Sequence, residues 1–151
     1  MEIKDKAGRL LGHLSNRMNC AQLSEAQLSN SCLQGVELEG AILDDADLEG
    51  ANLQQADLYM ALLDGANLRG ANLRKARLQG ANLRNADLRG ADLSFADLSI
   101  SNIGTSTKLQ GCDLSGAVLE QTTLLGAQYN QRTKFPTSFD PLIAGMILTY
   151  E

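Results

Sequence analysis

The sequence predicts an all-β solenoid, a single column of short extended segments and turns wound around one continuous apolar core. Three observations predict it. Leucine recurs at every fifth position from Leu23 to Leu98, the residue two places before it is small, and glycine stands two places after it in ten repeats. A period of five fits neither a helix, which would wind its leucines around all sides, nor a long strand, which would send them alternately to opposite faces. An extended segment followed by a turn does fit, because the small residue and the leucine then point to the same side, inward.

The first element lies outside the repeat. In residues 1–20, Ile3, Ala7, Leu10, Leu11, Leu14 and Met18 recur at steps of three and four, the spacing of one apolar helical face. This predicts an N-terminal helical cap, weakened by Gly8 and Gly12, that lies on the first coil and covers its open end. His13 and Cys20 fall in or beside the cap, where packing or solvent exposure is the reading for both. The same residues carry Lys4, Asp5, Lys6 and Arg9 and lack a signal-peptide pattern, and no run of 18 apolar residues follows. The expectation is a soluble, cytoplasmic protein.

The repeat occupies residues 21–131. Its centres continue from Leu98 to Ile103, slip by one residue, and resume at Leu109, Leu114, Leu119, Leu124 and Tyr129, making 22 repeats. Leu48, Leu53, Leu58, Leu68, Leu73, Leu78, Leu83, Leu88 and Leu93 are assigned to the core. Sixteen of the small positions are alanine; the exceptions are Ser31, Val36, Ser101, Thr107, Cys112 and Thr122. Glycine at the corner suits a type II turn, which needs positive φ at its third residue, and Asn85 can meet that need. Gln55, Met60, Phe95 and Ile100 predict a different turn at their corners. The position before each centre is mostly Asp or Asn, read as facing out. The slip at residues 104–108 predicts a bulged corner, either a tolerated defect or a small binding loop.

These repeats resemble the pentapeptide-repeat family, whose pattern of Ala, Asp or Asn, Leu and two variable residues is matched by 46–50, 51–55, 66–70, 81–85 and 86–90. The resemblance implies a right-handed quadrilateral β-helix in which four repeats make one square coil. At a strand spacing of about 4.8 Å the column would stand roughly 25 Å tall. The last element, residues 132–151, is similar to the tail of several cyanobacterial members. Pro141 behind Asp140 predicts a helix start, so a C-terminal helical cap with Phe135 and Phe139 is expected to close the core. The alternative is a homodimer made through this end, as the family's DNA-mimicking members form.

No catalytic, cofactor or metal site is predicted. Three widely spaced cysteines and one histidine suggest neither a disulfide framework nor a metal cluster, and carboxylate pairs arise from the period alone. Cys112 is inward by phase; Cys32 is outward and the more plausible reactive thiol. A net charge of -5 disfavours direct nucleic-acid and membrane binding.

Function must lie in departures from the repeat. Between Arg17 and Arg69 there are nine acidic residues and no Lys or Arg, followed by a belt of Arg69, Arg74, Lys75, Arg77, Arg84 and Arg89. Pairs 20 apart, Glu49 with Arg69, Asp64 with Arg84 and Arg77 between Asp57 and Asp97, predict solvated ladders across coils. Ile42 and Leu62 replace the usual Asp or Asn at an outward position and are predicted to stack, with Tyr59 and Met60 on the adjoining corner. With Asp44, Asp45 and Asp47 they form the candidate surface for a protein partner. The leading reading is a non-enzymatic interaction or scaffold module. The alternative, drawn from the family resemblance, is a DNA mimic that binds DNA gyrase or another topoisomerase.

Overall fold

The structure is a computed structural model and describes residues 2–4, 7–13 and 15–150. A ladder of parallel β-bridges runs through it, joining residues 20 apart from Arg17 as far as Asp97: Arg17 to Glu37, Gln22 to Ile42, Gln27 to Asp47 and Cys32 to Asn52 begin four columns. The chain therefore turns four corners per coil and has four faces, taken here in chain order from the Arg17 column. The ladder starts four residues ahead of the point where the alanine pattern sets in at Ala21. Met18 serves as its first inward centre and is buried.

Each repeat is bonded to both neighbouring coils. Leu48 N–H donates to Asn67 O at 2.8 Å, Asp47 N–H to Ala26 O at 2.9 Å and Gly50 N–H to Arg69 O at 2.8 Å. Inside, the nine leucines assigned to the core are fully buried, as are the alanines beside them from Ala41 to Ala71. Cys112 is buried in the same way, whereas Cys20 and Cys32 are exposed. Burial, then the charges of Asp113 and Asp87, push the Cys112 thiol far above its usual range. The thiol there is a small packing group.

The corners are more uniform than the sequence suggests. Gln55, Met60 and Phe95 take positive φ of 58 to 62°, as the corner glycines do, so they use the same turn; Ile100 does not. The turn closes through the alanine N–H and the preceding leucine carbonyl, as in Ala46 to Leu43 at 3.1 Å. Left-handed backbone costs an L-residue roughly 1–2 kcal/mol, while a glycine loses about 0.5–1 kcal/mol in backbone entropy. Gln55→Gly is accordingly expected to raise stability by up to about 1 kcal/mol, read as a higher denaturant midpoint at unchanged slope.

Neither predicted helical cap appears among the described residues, which contain no helix. At the N-terminus β1 (Glu2–Lys4) and β2 (Leu10–His13) form an antiparallel hairpin, turned with the help of Gly8 at φ 80°. Leu10 is exposed, and Leu14, part of the expected helical face, lies outside the described residues. The physical reason is visible at Gln27, whose N–H donates to Lys4 O at 2.7 Å. The first coil offers unpaired backbone groups, which a strand can pair and a helix, its own backbone saturated, cannot. At the other end Asp140 does accept N–H bonds from Leu142 and Ile143. The expected helix stops after one turn, at Gly145 with φ 73°, because β4 (Ile147–Leu148) pairs in parallel beneath β3 (Gln128–Tyr129). Ile147 N–H reaches Ala127 O at 2.8 Å. Phe135 packs edge-on to Tyr129 and stacks on Phe139, with Met146 buried beside them, and together they close the core.

The slip is also larger than it reads. Asn82 pairs with Lys108, 26 residues on, so the coil carries a six-residue insertion, 101–106. Ile103 is no inward centre: it is 70% exposed, and Thr107 takes the buried small position instead. The repeat of Ser101 and Ile103 looked in phase because six residues shift a five-residue period by only one.

Candidate partner-binding surface

The outward Asp and Asn do more than face solvent. At Asp47, Asn52, Asp57, Asn67, Asn72, Asn82, Asp87, Asp92, Asp97 and Asp113, Oδ1 accepts the backbone N–H two residues on, at 2.9 to 3.3 Å. This side-chain bond satisfies the corner amide that the coil-to-coil ladder leaves over. Ile42 and Leu62 forgo it. In the Leu62 repeat, Asp64 N–H is instead satisfied by Asp44 Oδ1 of the preceding coil at 2.9 Å.

Ile42 and Leu62 are bridged neighbours in the second column. Leu62 is 37% exposed and Ile42 half-buried. One corner of this face carries Asp44, exposed Asp45 and Asp64; the opposite corner carries Glu39, Tyr59 and Met60. In the first three coils no Lys or Arg stands on the face or on either corner. Asp47 lies around the corner on the third face, where Asn67 Nδ2 donates to it at 3.0 Å and to Glu49 at 3.1 Å. Six of the seven candidate residues are thus brought to one face and its edges, and Asp47 is set apart.

Tyr59 and Met60 are half-buried, because the insertion folds back over their corner. Tyr59 Oη donates to Asn102 Oδ1, and the Arg77 guanidinium lies 4.4 Å from the centre of the Tyr59 ring. A Cβ on Gly80 would stand 2.5 Å from Met60 Sδ, 3.3 Å from Ser101 Cβ and 3.4 Å from Thr105 O, so glycine is what admits the loop. Thr107 Oγ1 pins its exit, accepting from Gly80 N–H and donating toward the Leu78 carbonyl, each at 3.0 Å. Ser101 fastens its entrance by accepting Thr105 N–H at 2.9 Å. The slip at 104–108 marks the second half of this loop in the sequence, including Thr105 and Thr107; Ser101 and Asn102 are masked by the repeat phase.

The basic belt is partly neutralised. Arg77 pairs with Asp57 at 2.7 Å, as the column predicts, while Arg74 reaches Asp92 at 3.2 Å and Arg89 turns back to Asp87. Asp97 is bonded by Gln79 in place of Arg77. The predicted Glu49–Arg69 rung is replaced by Asn67 on Glu49. These pairs are solvent-accessible and contribute little each.

Farther down the third column, Asp113 titrates at about 2: burial raises it, but the Ser115 hydroxyl, then Lys134 at 2.9 Å, outweigh that effect. A carboxylate whose folded pKa is depressed adds stability above its unfolded value and loses it as pH falls through the folded value. Acid destabilisation through Asp113 should therefore develop between about pH 4 and about pH 2. Lys134→Ala should move its titration upward in an NMR pH series.

Comparison with known proteins places this geometry. The Pentapeptide repeats family pattern matches in eight copies across residues 21–59, 66–102 and 105–128. The chain belongs to the pentapeptide-repeat family. Its coil is the right-handed quadrilateral β-helix of that family. A pentapeptide-repeat protein of the cyanobacterium Cyanothece 51142 is 34% identical over 68% of this chain, with a TM-score of 0.61, and the chain covers 65% of that protein's length. Another, from Nostoc Pcc 7120, is 38% identical, with 75% of this chain and 84% of that one covered and a TM-score of 0.43. QnrB1, a plasmid-mediated fluoroquinolone resistance protein, is 20% identical over 82% of this chain and 79% of its own, with a TM-score of 0.34. No curated protein matches. Within the described residues of this pentapeptide-repeat chain, no helix is long and apolar enough to cross a membrane.

Proposed function

We propose that this pentapeptide-repeat chain is a non-enzymatic interaction module that engages a protein partner through its second face. The observation that carries the reading is the stacked pair Ile42 and Leu62. At each of these positions a corner-capping Asp or Asn is given up for an apolar side chain that faces outward, a local loss without benefit to the core. Exposed apolar groups gathered on one face of a rigid column suit a partner surface. The testing variant is Leu62→Asn, which installs the residue that the next coil carries at Asn82. Surface changes of this kind alter stability by roughly 0.5 kcal/mol or less, so the fold should be unaffected. Affinity capture from the host should then lose partners that the wild type retains. Identical partner sets would sink the proposal.

A second reading, binding to DNA gyrase by imitation of duplex charge, is favoured by the excess of acids between Arg17 and Arg69 and opposed by the arginine belt that begins at Arg69. A supercoiling assay separates the two readings, because the interaction module predicts no effect at large molar excess.

A further inference from the structure

The geometry points to a partner segment of defined chemistry, a basic amphipathic protein segment that lays an apolar stripe along Ile42, Leu62 and Ile103 and sets Lys or Arg against Asp44 and Asp45. This inference rests on the reading of the second face as a partner surface and specifies what it recognises.

Three features of the face converge on it. The first is the apolar pair itself, bare at Leu62, with the insertion folded over the adjoining corner through Asn102 on Tyr59 and presenting an Ile103 that is 70% exposed. A loop that serves only as connection has no need to present an isoleucine to water. This one is held in place by Asn102 on Tyr59, by Ser101 and Thr105 on Gly80, and by the Thr107 hydroxyl bonds. A loop fastened at both ends and along its back presents Ile103 with little left to order, which lowers the entropy cost of binding.

The second feature is charge. Asp44 and Asp45 occupy the corner opposite the loop, and no described ion pair involves either. Elsewhere on the column four acids are met by cations, Asp57 by Arg77, Asp87 by Arg89, Asp92 by Arg74 and Asp113 by Lys134, and Asp47, Glu49 and Asp97 by amide side chains. Apart from the Arg77 guanidinium on the Tyr59 ring, the face and its corners carry no Lys or Arg in the first three coils, so the field on the Asp44 and Asp45 side is complementary to a cationic ligand and repels an acidic one.

The third is backbone conformation. Asp45 stands at a corner with φ of 56°, where its carboxylate lies 2.5 Å from the place a Cβ on Gly65 would take. The Asp44 carboxylate is fixed from below by Asp64 N–H. The Asp44 carboxylate is thus oriented by the coil, the Asp45 carboxylate lies over Gly65 beside it, and a segment seated on Leu62 lies between them and the loop.

The experiment uses the full chain and two labelled 14-residue peptides, one an amphipathic helix of Leu and Lys, the other its Leu and Glu counterpart, read by fluorescence anisotropy. The double variant Asp44→Asn with Asp45→Asn preserves the Asp64 N–H acceptor and suits the left-handed corner, so it tests charge without disturbing the fold. Ile103→Ser tests the loop. The control is Glu49→Gln with Glu120→Gln, acids on the two distant corners. The Leu/Lys peptide is expected to bind, to lose at least tenfold in affinity with the double variant and severalfold with Ile103→Ser, and to be unchanged with the control. The inference is overturned if that peptide fails to bind, if the Leu/Glu peptide binds equally, or if the control loses as much as the double variant. Should the peptide fail while Leu62→Asn still abolishes capture from the host, the partner surface stands and only its assigned ligand chemistry is wrong.

Discussion

Leu68→Ala is expected to destabilise the protein toward the upper end of the roughly 2–5 kcal/mol that buried leucines cost. Leu68 is fully buried and sits between Leu48 and Leu88, which are fully buried as well. The cavity cannot close by collapse along the axis, because the coils above and below are held apart by backbone bonds of fixed length: Leu48 N–H to Asn67 O and Leu68 N–H to Asp87 O are both 2.8 Å. It cannot close laterally either, since Ala66 and Ala71 bring little bulk to fill the space. The loss should appear as a lower thermal or denaturant midpoint. A change below about 1 kcal/mol would mean that the leucine ladder is not the main support of the column.

Ala71→Leu is expected to cost on the order of 1–3 kcal/mol or more for the opposite reason. Ala51, Ala71 and Ala91 follow one another through successive coils, all fully buried. Their size sets how closely the wall approaches the leucines across the core. A leucine at 71 must push the fourth face outward and stretch the bonds of its own repeat to both neighbouring coils, Asn72 N–H to Ala51 O at 3.0 Å and Leu73 N–H to Asp92 O at 2.8 Å. Unfolding midpoints of this variant and of Leu68→Ala, taken together, measure the core from both sides of its optimum.

The column was legible because its logic is local. A small residue and a leucine two apart must share a face, and that is enough to place Ala71 and Leu73 inward. What the period hides is anything that depends on partners from other coils. Gln27 N–H, left unpaired by the first coil and taken by Lys4 O, turned the expected N-terminal helix into a hairpin, and Ala127 O did the same for residues 147 and 148. Helical spacing at Ile3, Leu10 and Met18 is a property of one segment; the unpaired edge it meets belongs to another. The insertion at 101–106 reads in the sequence only as a one-residue slip at 104–108, because Ser101 and Ile103 imitate the repeat. Asp44 and Leu62 were readable as departures, but the corner bond that Leu62 gives up, and its replacement by Asp44, required the coils to be stacked.

The bonds between coils all run along the column axis, which gives the molecule an uneven response to force. Tension applied between Gln22 and Gln128 would not shear many bonds at once; it would open the stack from one end, corner by corner, as a zip. Each released coil of 20 residues would lengthen the chain by roughly 66–72 Å in place of the few ångströms it occupied. The coil bearing the insertion should give a longer step, marking its own position in a single-molecule extension trace.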